Sequence, residues 1–151
     1  MLNQESKMTK WELPGVPAGG LRTVGQIRGT NTLILHAGQN GMVVALELLS
    51  AHAPGAPVVN DRNEFIGFIS EFDVLRALQA GKDLSKLTAE EIMVHERIAV
   101  TAETTIEEAV KTMEGKRLLN LPVMKDGKVA YSVTRHDLLR AWIGLGTSGE
   151  D

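Results

Sequence analysis

Two short stretches of the chain pair a hydroxyl residue with a carboxylate three positions later: Ser70-Glu71-Phe72-Asp73 and Thr134-Arg135-His136-Asp137. This is the spacing of a helix capping box, in which the hydroxyl accepts from a backbone N–H of the first turn and the acid reaches back. Ser70 and Thr134 are therefore expected to cap helices, with Asp73 and Asp137 adding favourable charge in the first turn. The same arrangement has a second chemistry. A hydroxyl at a helix start stands among unpaired N–H groups, where an anion is favoured, and a carboxylate is a pure hydrogen-bond acceptor. Capping and binding are compatible. The neighbouring charges differ, because Glu71 follows Ser70 and would repel a phosphate, whereas Arg135 and His136 follow Thr134 and could neutralise one.

Catalysis is not expected from these residues. Ser70, Asp73 and His136 invite comparison with a triad, but nothing places that histidine beside that serine. His136 and Asp137 are neighbours at a helix start and point in different directions. No nucleophile elbow, lysine-containing phosphate loop or His-Glu-x-x-His pattern occurs. The four histidines, His36, His52, His95 and His136, are scattered, and there is no cysteine, so no metal site, disulfide or cysteine nucleophile is expected.

Composition narrows the partners. Sixteen Lys and Arg against nineteen Asp and Glu leave a formal charge of −3, and the densest basic group is the pair Lys116-Arg117. A nucleic-acid binder usually concentrates positive charge to release counterions, so nucleic acid is not the expected partner. No apolar run is long enough to span a bilayer, and "MLNQESKMTK" lacks a signal peptide's apolar stretch, which predicts a cytoplasmic protein without a membrane partner.

The elements that must position the two stretches come in duplicate. "DVLRAL" at Asp73–Leu78 returns as "DLLRAW" at Asp137–Trp142, "TVGQI" at Thr23–Ile27 answers "TAEEI" at Thr88–Ile92, and Pro57-Val58 answers Pro122-Val123. The offset is 65 before the turn "NDRNEF"/"KDGKV" and 64 after it, a one-residue insertion where insertions are cheap. Each copy reads as a short lead-in helix, then strand, helix, strand, strand, helix. In the first copy the strands are Leu33–Leu35, Pro57–Asn60 and Phe65–Ile69, and the helices run about Gly41–His52 and Glu71–Ala80. In the second, Ile98–Val100 is a strand, Thr104 with Glu107 opens a helix, and Leu121–Met124 and Val129–Val133 flank the Asp126-Gly127 turn. The last helix starts at Arg135. Aromatics are scarce, at 4%, so the core must be aliphatic. A unit of about 60 residues buries a marginal core alone, which favours packing of the two copies together.

This order, with apolar-Pro-Val opening the second strand and Gly67-x-x-Ser70-x-x-Asp73 closing the third, resembles a tandem pair of CBS domains. The second signature matches at Thr134 and Asp137 but carries Tyr131 in the glycine position. The resemblance covers roughly Leu21 to Ile143. It implies an α/β (α+β) fold of two pseudo-symmetric βαββα units, 21–86 and 87–144, between flexible tails at 1–20 and 145–151. It also implies a regulatory module rather than an enzyme, with no required cofactor. Such a module binds AMP, ADP, ATP or S-adenosylmethionine in clefts between the units, the signature carboxylate holding the ribose diol and the hydroxyl lying near phosphate.

Adenine would then sit against aliphatic strand residues, Ile69 with Val58 and Pro57 in one cleft and Val133 with Val123 and Pro122 in the other, with Tyr131 narrowing or lining the second. Basic residues that many nucleotide-binding members carry before Pro-Val are replaced here by Gly55-Ala56 and Asn120-Leu121. The Thr134–Asp137 cleft is expected to be the better nucleotide site. The Ser70–Asp73 cleft is expected to stand empty or to take an adenosine group lacking phosphate. The alternative is a ligand-free dimerisation or interaction module, since such pairs often form flat homodimers through their helices. Leu48, Leu49, Leu138 and Trp142 could serve either core or dimer. Any effector would be a separate chain.

Overall fold

The computed structural model describes residues 21–28 and 31–144, so the two expected tails, 1–20 and 145–151, lie outside the described residues. In chain order the first copy contributes β1 (Leu35–His36), α1 (Gly41–Ala51), β2 (Gly55–Val59), β3 (Phe65–Ser70) and α2 (Glu71–Gln79). The second contributes α3 (Ala89–Ile92), β4 (Val100–Thr101), α4 (Ile106–Lys116), β5 (Asn120–Lys125), β6 (Lys128–Thr134) and α5 (Arg135–Trp142). Each copy folds a three-stranded sheet, β1-β2-β3 and β4-β5-β6, with a parallel pair followed by an antiparallel one. The element order expected of a βαββ unit is thus met twice: the parallel pair needs a helical crossover, and the antiparallel pair only a turn.

Local chemistry explains most boundaries. Asn40 caps α1 by accepting from Met42 N, and α1 ends where His52 turns to positive φ. Asp126 and Gly127 both have positive φ, the conformation of a two-residue hairpin turn. The box at the head of α4 is Thr105 with Glu108, one residue beyond the expected Thr104 with Glu107. Thr104 is instead committed to the preceding turn, its Oγ1 accepting from Thr101 N at 3.1 Å. The first strand of each copy is short and begins later than expected, at Leu35 and Val100, because only these residues meet the neighbouring strand in register, Leu35 beside Val58 and Val100 beside Val123.

The cores cross the repeat boundary. Leu35, Val44, Leu48, Val58, Ile69 and Val74 of the first copy pack with Leu84, Ala89 and Met93, the last two from the lead-in of the second copy. Reciprocally, Val24 and Ile27, from the lead-in of the first copy, pack into the core of Val100, Ile106, Met113, Leu121, Val133 and Leu138. Each lead-in is stitched to the other copy's outer strand: Phe68 and Val94 exchange two backbone hydrogen bonds at 3.0 and 2.9 Å, and Ser132 N donates to Asn31 O at 2.8 Å. The two copies therefore share their cores, which is how units too small to be stable singly reach a common fold.

Candidate functional site

The two signatures sit where β3 meets α2 and where β6 meets α5. Gly55 pairs with Ser70 and Asn120 pairs with Thr134, so the starts of β2 and β5 lie directly opposite the two capping residues. These starts meet each other: the buried Asn120 side chain donates from Nδ2 to Gly55 O at 2.7 Å, joining the sheets between the two signatures. Ser70–Asp73 and Thr134–Asp137 thus flank one junction, on either side of an approximate two-fold relation.

In the second copy, Thr134 N donates to Asp137 Oδ2 at 2.9 Å, and Thr134 Oγ1 accepts from Asp137 N at 3.1 Å. Among the described residues nothing hydrogen-bonds Asp137 Oδ1. The first copy builds the same box and then uses up the acid. Asp73 Oδ2 accepts from Ser70 N at 2.7 Å and from Ser70 Oγ at 3.0 Å, while Oδ1 forms an ion pair with Arg76. The first N–H of α2, on Glu71, is also taken, by Pro54 O at 2.9 Å. Asp73 is 7% exposed, so its carboxylate is both buried and fully partnered. Arg140 holds the place of Arg76 in the second copy but makes no such pair, and its Nε is buried without a partner among the described residues.

Of the strand residues expected to line an adenine slot, Pro57 and Pro122 lie on the sheet face turned to the other unit, and four others do not. Val58, Ile69, Val123 and Val133 are at most 1% exposed and belong to the cores beneath the helices. Alternation along a strand sends every second side chain to one face, and the sheet face opposite those cores carries Pro57 paired with Phe68, and Pro122 paired with Ser132. This second face is the one turned to the other unit. Pro122, Asn120 and Phe68 line, with Val94, Glu96, Ile98 and Leu118, a gap of about 40 Å³ between the copies. Both faces of each sheet are covered, so both are apolar, and hydrophobicity alone does not tell them apart.

The signature glycine and its replacement also lie on the core side. A Cβ on Gly67 would stand 2.5 Å from Met93 Sδ and 2.6 Å from Val94 O, so glycine is required there by the lead-in segment that crosses it. At the equivalent position Tyr131 reaches the other lead-in, its phenol donating to Val24 O at 3.3 Å. Tyr131 lines its unit's core rather than the gap between copies. Burial, and secondarily the Asp137 charge, raise its pKa above the ordinary value of 10.0.

Arg135 and His136 are exposed. Arg135 borders a groove of about 480 Å³ between α4 and α5, with Met113, Arg117, Leu139 and Trp142 among its walls. No signature hydroxyl or carboxylate lines that groove. Among the described residues no group of three or more His, Cys, Asp or Glu could hold a metal, and no helix is long and apolar enough to cross a membrane. Two contributors escaped the sequence reading. Arg76 was visible as an acid–base pair at helical spacing with Asp73, but Asp137 and Arg140 show the same spacing, and the pairing differs. Ser132, whose buried Oγ has no partner among the described residues, carried no signal beyond its position in the strand.

A duplicated βαββ unit with exchanged lead-ins and a hydroxyl–carboxylate box at the end of each third strand defines a paired-repeat module. The chain belongs to the CBS domain family, whose sequence pattern matches residues 24–80 and 89–144. It is 28% identical over 120 residues to an uncharacterised protein of Methanopyrus kandleri, covering 78% of this chain and 61% of that one. It is 28% identical over 101 residues to hypoxic response protein 1 of Mycobacterium tuberculosis, covering 66% of this chain and 71% of the relative. It is also 31% identical over 87 residues, 57% of this chain, to arabinose 5-phosphate isomerase of Pseudomonas aeruginosa, of which it spans 27%. The chain thus spans less than two thirds of some of the curated relatives it matches.

Among solved structures, the CBS domain pair of protein MJ0100, in complex with 5-methylthioadenosine and S-adenosyl-L-methionine, superposes with a TM-score of 0.69 at 24% identity, over 78% of this chain and 93% of that one. CBSX2 in complex with AMP superposes with a TM-score of 0.66 at 23% identity, over 79% and 94%. These likenesses establish the tandem CBS fold.

Proposed function

We propose that the chain is a regulatory module that binds an adenosine-containing ligand, AMP, ADP, ATP or S-adenosylmethionine, at the Thr134–Asp137 end of the junction between its units. In this reading it has no catalytic activity of its own and acts, as a homodimer, on a separate effector chain. The observation that carries the reading is the difference between the two acids: among the described residues Asp137 keeps an oxygen without a partner, while both oxygens of Asp73 are occupied. A carboxylate with a free oxygen can accept from a ribose diol. Two further features support the same side. Ser132 offers a small, buried hydroxyl, without a partner among the described residues, where the first copy has the Phe68 ring, and the charges beside Thr134 are the friendlier to phosphate. The relatives' solved complexes with adenosine compounds support the ligand class.

The gap between the copies, about 40 Å³, is far below the ~300 Å³ at the small end of ligand pockets. Neither Thr134 nor Asp137 lines that gap; in this reading the sheets part beside them to seat the ligand, and a ligand that favours the parted arrangement shifts the population toward it. That coupling between occupancy and the angle of the units is what a regulatory module needs. The closed gap also favours the second reading, a module that works through its surface without ligand. Calorimetric titration of the full chain with each of the four ligands separates the two. The proposal expects saturable binding of at least one; absence of heat and of any rise in melting temperature with all four at millimolar concentration supports the ligand-free module.

A further inference from the structure

The two lead-ins cross their units in the same way, but the residues just ahead of them do not. Gly41 N donates to Leu87 O at 2.8 Å, and at the equivalent place Ile106 N donates to Arg22 O at 3.0 Å. Ahead of Leu87, Asn40 Nδ2 donates to Ser85 O at 2.8 Å, and Leu84 is buried in the first unit's core. A Cβ on Gly41 would stand 2.6 Å from Leu84 O, so glycine lets this turn lie flat on the head of α1. The residues equivalent to Lys82–Ser85 are Pro17, Ala18, Gly19 and Gly20, and the residue equivalent to Gly41 is Ile106. None of those four carries a side chain that could replace Leu84. The second unit instead has a hollow of about 400 Å³ there, with Leu21, Thr105, Ile106 and Trp142 among its walls. Trp142 is also a wall of the groove of about 480 Å³ between α4 and α5, so the two hollows meet at one indole.

We infer that the chain's own stretch Trp11–Val16 folds back over Trp142 and along the α4/α5 groove, doing for the second unit what Leu84 does for the first. The inference is independent of the ligand and stands whether or not a nucleotide binds. The path fits. Leu21 N donates to Ala141 O at 3.4 Å, so the chain arrives one residue from Trp142. Val16 and Trp11 precede Leu21 by spans of at most ~18 and ~36 Å, against ~12 Å for the length of α5. The chemistry fits as well. Trp11, Leu13 and Val16 supply the apolar side chains that residues 17–20 lack, and Leu13 and Val16 each precede a proline, which biases them toward the extended backbone that lies along a groove. Glu12 stands between Trp11 and Leu13, and the groove carries two arginines, Arg117 and Arg135, against one acid, Glu114. A tethered segment also competes well for such a site, because its effective concentration is millimolar without any partner in solution.

The first unit supplies the control for the test. Leu139, in the groove wall, is 62% exposed, and its equivalent on α2, Leu75, is 51% exposed, so either can be replaced without opening a core. The chain has no cysteine of its own. In the full chain, Leu13→Cys with Leu139→Cys is expected to close a disulfide within one chain at least about tenfold faster than Leu13→Cys with Leu75→Cys. Equal rates would mean a free segment and overturn the inference. Disulfides that join two chains in preference to closing within one would give the groove to a second copy, and would overturn it too.

Fluorescence gives a second readout that needs no cross-link. Trp11 and Trp142 are the chain's two tryptophans, so Trp142→Phe leaves Trp11 as the single reporter while keeping an aromatic wall. Its emission is expected at shorter wavelength than that of free tryptophan and protected from acrylamide. Adding Leu139→Glu, which sets a charge in the groove, is expected to shift the emission to longer wavelength and to remove the protection, whereas Leu75→Glu leaves both unchanged. A Trp11 signal that does not respond to Leu139→Glu, or responds equally to Leu75→Glu, would contradict the assigned site.

Discussion

Asp73 and Asp137 occupy the same place in two copies of one unit, and their surroundings have given them different work. Asp73 caps its helix, holds Ser70 and is neutralised by Arg76, so it is a structural acid. Asp137 caps its helix with one oxygen and leaves the other without a partner among the described residues. The same division runs through the neighbouring positions: Phe68 against Ser132, Glu71 against Arg135, Gly67 against Tyr131. Duplication supplied two potential clefts. The first signature is cross-linked internally by Arg76, and beside the second Ser132 Oγ and Asp137 Oδ1 have no partner among the described residues. In this chain the complete family signature and the more fully partnered acid fall in the same copy.

The largest effect that would sharpen this comparison is expected at the glycine. Gly67→Ala drives a Cβ into Val94 O, a backbone atom that cannot rotate away, as well as into Met93 Sδ. A loss of roughly 1–3 kcal/mol of stability is expected in chemical denaturation, in line with overpacked cores. Tyr131→Phe, at the equivalent position, removes only the hydrogen bond to Val24 O and should cost about 0.5–1.5 kcal/mol. Equal effects at the two positions would mean that the lead-ins cross their partners' sheets in the same way, and the asymmetry described above would lose its structural basis.

A smaller effect probes the second acid directly. Tyr131 is the chain's single tyrosine, so its ionisation can be followed by ultraviolet absorbance without ambiguity. Its pKa is raised by burial first and by the Asp137 charge second, so tyrosinate should appear above pH 10, and Asp137→Asn should bring it part of the way back. The sign for stability follows. The folded state holds the phenolic proton more tightly than the unfolded chain, so this contribution is fully present below about pH 10 and is lost as pH rises through the folded-state value. A tyrosine that titrates normally, or does not respond to Asp137→Asn, would place the two side chains farther apart than the structure has them.

Much of this architecture was legible in the sequence because it is local. The 65- and 64-residue offsets revealed the duplication, Asp126-Gly127 the hairpin, and Ser70 and Thr134 their helix starts. What was not legible is non-local. The exchange of lead-ins, with Met93 under Gly67 and Val24 under Tyr131, follows from which sheet edge each segment reaches, and no periodicity records that. The burial of four of the expected slot residues has a similar cause. Val58, Ile69, Val123 and Val133 are buried in the cores; the sheet face between the units carries Pro57, Phe68, Pro122 and Ser132. Asp-x-x-Arg occurs in both copies, so the sequence held no sign that only Asp73 would be paired.

The central claim is that the second acid, and not the first, serves a ligand. It is tested most directly by calorimetric titration of the unaltered chain, Asp137→Asn and Asp73→Asn with whichever of AMP, ADP, ATP and S-adenosylmethionine binds most tightly. The account predicts one equivalent per chain for the unaltered protein, affinity lowered at least about tenfold by Asp137→Asn through loss of a charge-assisted hydrogen bond, and affinity kept by Asp73→Asn in chain that remains folded. Binding that is lost with Asp73→Asn and retained with Asp137→Asn would contradict it.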